Sequence, residues 1–62
     1  MMTYTVQVTR DGKSWLLEVP ELGIAGRAWR LADAEVDAAS LVAAHLDVPH
    51  SEIRIKVCVN RS

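Results

Sequence analysis

Two histidines, one cysteine and eight acidic residues are the side chains of this sequence best suited to acid–base, nucleophilic or metal chemistry. Their spacing argues against each use. His45 sits on the inner edge of a helical stretch near its end and His50 in the turn that follows, with no third ligand at a recognisable distance along the chain. Zinc takes at least about three protein ligands, so a core-border histidine and a solvent-facing one are expected instead. Asp33 and Asp37 fall one turn apart on the outward face of the same helical stretch and read as two solvated acids. Cys58 has no motif around it and reads as a structural thiol or packing residue rather than a nucleophile. Gly23 and Gly26 lack the residues that follow them in a phosphate-cradling loop. The expectation is a protein with no catalytic residue, no metal and no cofactor.

The chain has 62 residues, half of them hydrophobic and 24% charged, the balance of one small folded domain spanning 1–62. Seven basic against eight acidic residues give a net charge of −1, which disfavours life on nucleic-acid phosphates. The lone cysteine excludes an internal disulfide. No apolar run approaches the roughly 18 residues of a membrane span, and Met1-Met2-Thr3-Tyr4 lacks the features of a signal peptide. A cytoplasmic location follows as the expectation. A core this small seldom supplies more than about 3–5 kcal/mol, so a homodimer or higher homo-oligomer is expected as well.

Periodicity supplies the elements. Thr3 to Thr9 alternates, with Tyr4, Val6 and Val8 on one face. Asp11-Gly12 is a strong two-residue hairpin signal; as the loop it pairs Val8 with Trp15, Val6 with Leu17 and Tyr4 with Val19. The second strand ends at Pro20, and Glu21-Leu22-Gly23 reads as a turn. Ile24 to Arg30 forms a third strand, with the small Gly26 and Ala28 beside Ile24 on a face suited to close helix packing. Leu31 or Ala32 to Leu46 is helical, and Ser51 or Glu52 to Val59 alternates again, Ile53, Ile55, Val57 and Val59 inward. The fold expected is α+β in the order β-β-β-α-β. A right-handed crossover returns the last strand beside and parallel to the first, in sheet order 3-2-1-4.

Leu16, Arg27 and Trp29 then share the outer sheet face, with Arg54 and Lys56 further off on strand four. Tryptophan and arginine are enriched at interaction hot spots, which makes this a candidate partner surface; Trp29 tucked against Pro20 and Leu22 is the competing reading. An aromatic among cations also fits RNA, a use the near-neutral charge opposes.

The order of motifs resembles the HicB family of antitoxins. It is carried by Tyr4-Thr5-Val6, Asp11-Gly12, Trp15, Glu18-Val19-Pro20-Glu21-Leu22, Arg30-Leu31-Ala32-Asp33-Ala34-Glu35 and Leu46-Asp47-Val48-Pro49. The resemblance implies a partial ribonuclease-H-like β-β-β-α-β fold and a partner, a HicA-like toxin that cleaves messenger RNA. It implies neutralisation by covering the toxin, with Glu18 and Glu21 among the acidic groups available to meet a basic surface. The turn Glu21-Leu22-Gly23-Ile24 is one residue short of the family's proline-glycine step, and the sequence ends at Ser62 without the DNA-binding domain of many members. No specific DNA binding is therefore expected. Tyr4, Val6 and Val8 stand where a ribonuclease-H site needs carboxylates, and they cannot hold Mg²⁺. Two alternatives stand beside the antitoxin: an oligomeric structural or degenerate HicB-like domain without a toxin, and a dodecin-type flavin binder using its tryptophans. Dodecins place the helix after the first strand, which two hairpin-linked strands here oppose.

Overall fold

Alternation of β-branched and polar residues drives Met2–Asp11 (β1), Ser14–Val19 (β2), Ile24–Ala28 (β3) and Ile53–Asn60 (β4) into strands. The computed structural model describes residues 2–60. Between β3 and β4 lie a 3-10 turn at Leu31–Asp33, the helix Ala34–Leu46 (α1) and a second 3-10 turn at His50–Glu52. The four strands form one sheet in the order β3-β2-β1-β4. β1 is antiparallel to β2 and parallel to β4, the arrangement expected.

The first hairpin differs from expectation in register. Asp11 pairs with Ser14, so the two-residue loop is Gly12-Lys13 rather than Asp11-Gly12. The reason is conformational. Gly12 alone takes a positive φ, +62°, as a type II′ turn asks of its first central residue. A type I′ turn at Asp11-Gly12 would have placed Asp11 at positive φ as well, which the turn at Gly12-Lys13 avoids. Ser14 Oγ donates to the Asp11 carbonyl at 3.2 Å and Arg10 Nε to that of Gly12 at 2.7 Å, which tie the loop down. Val8 therefore faces Leu17, and Arg10 faces Trp15. The slip is two residues, so every side chain keeps its face.

The core forms between the sheet and α1. Val6, Val8, Leu17, Val19, Ala28 and Ile55 come from the strands and Ala34, Ala38 and Val42 from the helix. Alanines and Gly26 let the backbones approach: a Cβ at Gly26 would meet Leu41 Cδ2 at 3.0 Å. The inner stripe of α1 passes to Ala43, leaving His45 exposed; the expected place for it on the inner edge is corrected. Leu31 lies in the 3-10 turn and is 40% exposed.

Both ends of α1 are defined by backbone as much as by side chains. No side chain caps its start, but Arg30 Nε and Nη2 hold both carboxylate oxygens of Asp33, at 2.9 and 3.3 Å. That hydrogen bond and the carboxylate charge raise the Arg30 guanidinium above its ordinary pKa. At the other end Asp47 adopts a left-handed conformation, φ +57°, and Val48 N–H donates to the Ala43 carbonyl at 3.0 Å. This closes the helix in the manner of a Schellman motif.

Candidate partner-binding face

Because α1 lies on one face of the sheet, the opposite face is left to solvent among the described residues. The ladder arranges that face in rows. Arg27 lies beside Leu16, which lies beside Thr9; Ala25 lies beside Glu18, which lies beside Gln7. On the far side Thr3 neighbours Arg54, Thr5 neighbours Lys56 and Gln7 neighbours Cys58. Arg54, Lys56 and Cys58 are exposed, as alternation predicts.

Arg27 is less available than its sequence position implies. Its side chain crosses Ser14, donating from Nη1 to Ser14 Oγ at 3.0 Å, and Nη2 reaches Asp11 Oδ2 at 3.2 Å. Ser14 is buried beneath it at 2% exposure, its hydroxyl satisfied on both sides. Asp11 stands in β1 rather than in the loop through the true hairpin register, which is why sequence reading missed its pair with Arg27; Ser14 keeps the outer face in either register. Asn60, the last residue of β4, donates its amide to Gln7 Oε1 at 2.9 Å across the parallel β1–β4 ladder.

Trp29 is 75% exposed, the most open large apolar side chain of those described. It follows the last residue of β3, Ala28, rather than standing within the strand, so the expected extension of β3 to Arg30 is corrected. Its side is set by the bend leaving β3 and not by the ladder. The strand also separates it from the turn at Pro20–Gly23, whose Leu22 packs on the core instead. Of the residues read as partner-binding, Leu16, Glu18 and Arg27 meet on one face, Trp29 stands at one end of β3 and Glu21 is exposed in the turn at the other end. Leu16 is half-buried and Glu18 exposed.

The second tryptophan is differently used. Trp15 is half-buried against the core, with the Arg10 guanidinium carbon 5.1 Å from its ring centroid. This cation–π contact follows from the corrected register.

The residues considered for chemistry stay apart. Asp33 is held by Arg30 in the 3-10 turn, whereas Asp37 lines a recess of about 400 Å³ with Gly26, Arg27 and Leu41. His45 and His50 are exposed on α1 and in the second 3-10 turn. Among the described residues no group of three or more His, Cys, Asp or Glu side chains is placed to hold a metal ion. No described helix is long and apolar enough to cross a membrane. Compared with known protein families, curated proteins and solved structures, the chain matches none.

Proposed function

We propose that this protein is a non-catalytic binding module of HicB type, which acts in the cytoplasm and neutralises a HicA-like, messenger-RNA-cleaving toxin by lying over its active surface. The observation that carries the reading is Trp29, 75% exposed just past the end of β3. A tryptophan left in water forfeits roughly 2–3 kcal/mol of available burial, and a partner that covers it recovers that energy. Two exposed acids, Glu18 and Glu21, add charge suited to a basic RNA-binding surface. The element order β-β-β-α-β agrees with the one the resemblance implies. Arg27, engaged with Asp11 and Ser14, serves mainly to shape the face.

Mechanistically the protein turns nothing over. It competes with RNA for the toxin, so its action is stoichiometric and vanishes when the complex dissociates. The test is co-expression with a HicA-like frame adjacent to its gene, followed by titration of the purified pair. Rescue of growth and a measurable complex are expected. Absence of any complex with such a toxin overturns the reading.

The long edge of β4 favours a second reading, an oligomeric structural or degenerate HicB-like domain without a toxin partner. Toxin binding separates the two.

A further inference from the structure

The edges of the sheet are unequal. β3 is five residues long and contains Gly26, whereas β4 offers eight residues with no proline and no strand beyond it among the described residues. A bare edge of that length is a template for pairing with another strand. Beside it, between α1 and β4, runs a groove of about 320 Å³ whose apolar wall is Val36, Ala39, Ile53 and Ile55, with Glu35 and Arg54 at the rim. Val36 is 64% exposed there, the one large apolar side chain of α1 that is fully open.

The geometry points to a second copy of this chain on the β4 edge, paired antiparallel about a two-fold axis at Val57 to make one continuous eight-stranded sheet. Charge selects that register. Centred on Lys56, the pairing sets Lys56 against itself; centred on Ile55, it sets Arg54 against Lys56. Like charges directly opposed are destabilising. Centred on Val57, Arg54 faces Asn60 of the partner subunit and Lys56 faces Cys58 of the partner subunit, while Ile55 meets Val59 of the partner subunit. Cations meet neutral residues and apolar residues meet apolar ones over residues 54–60. A centre moved on to Cys58 leaves, among the described residues, only 56–60 to pair. Odd offsets put inward residues against outward ones and are excluded by the pleat.

A two-fold axis normal to the sheet keeps both helices on one face. The two grooves then approach across the junction, and Val59 of the partner subunit, opposite Ile55, comes to the groove that Val36 walls. The dimer leaves Trp29 and the β3 end untouched, so it stands independently of the toxin reading.

Sedimentation of the whole protein at micromolar concentration is expected to give a dimer. Val36→Glu, a change at an exposed helical site that leaves the monomer folded, is expected to weaken dimerisation at least about tenfold. Ala25→Lys, on the opposite edge, is expected to leave it unchanged. Cross-linking reads the register. In Lys56→Cys the new thiol directly opposes Cys58 of the partner subunit, within the roughly 4.4–6.8 Å between Cα atoms that a disulfide spans. Mild oxidation with oxidised glutathione should then give a covalent dimer. In the wild type the two Cys58 residues stand diagonally, about 7–8 Å apart or more, and should stay reduced. A monomer at micromolar concentration overturns the interface, as does dissociation by Ala25→Lys with Val36→Glu silent. Wild-type cross-linking as ready as that of Lys56→Cys, or none in a dimeric Lys56→Cys, overturns the register. Toxin binding by Trp29 can survive every one of these failures.

Discussion

Gly26 and Leu41 set how closely the helix lies on the sheet: the position of a Cβ on Gly26 is 3.0 Å from Leu41 Cδ2. A methyl group there is tolerable if the end of the leucine shifts by a few tenths of an ångström. A branched side chain is not. Gly26→Val is expected to destabilise by about 1–3 kcal/mol through overpacking. Adding Leu41→Ala should recover part of that loss, although Leu41→Ala alone is destabilising. Denaturant unfolding of the four proteins of this cycle measures the coupling; simple additivity would mean that the two sites do not meet.

The two tryptophans should separate cleanly. Trp15→Ala removes a core neighbour of β1 and β3 and is expected to cost at least about 2 kcal/mol. Trp29→Ala removes an exposed side chain and should stay within about 0.5 kcal/mol of wild type. Against the proposed toxin partner the order is expected to reverse, Trp29→Ala weakening binding about tenfold or more. Thermal melts and titrations on the same preparations read both effects.

Arg27→Ala should be the weaker binding variant of the outer face. Its guanidinium already spans Asp11 and Ser14, and the exposed Asp11 pair is worth no more than about 1 kcal/mol. A small loss of stability, reduced further in high salt, is expected, with toxin affinity falling less than for Trp29→Ala. An equal or larger loss of affinity would show that Arg27 leaves its intramolecular partners on binding.

Asp47 is a site for stabilisation. It carries a side chain at φ +57°, where glycine is favoured, and a carboxylate at the negative end of α1. Asp47→Gly is therefore expected to add about 0.5–1 kcal/mol. The melting temperature should rise by several degrees, a readable shift in a domain of this size.

Alternation and helical spacing, both local, were enough to place Val6, Val8, Leu17, Val19 and Ile55 in the core and Arg54, Lys56 and Cys58 outside. The β-β-β-α-β order and the 3-2-1-4 sheet followed from them, because a crossover helix leaves few ways to return to a sheet. Tertiary structure decided what a period of two cannot see. A slip of two residues preserves every face, so the period alone does not separate Gly12-Lys13 from Asp11-Gly12 as the loop, and the register the fold takes brings Arg10 to Trp15 and Asp11 to Arg27. The end of β3 at Ala28 is likewise invisible to the period: the ladder with β2 closes at Trp15 and Ala28, and Trp29 leaves it although Ser14, the next residue of β2, still pairs with Asp11. His45 was misplaced for a related reason: a helix rich in alanine has no bulky stripe to mark its inner face, and the sheet beneath it chose Ala34, Ala38, Val42 and Ala43.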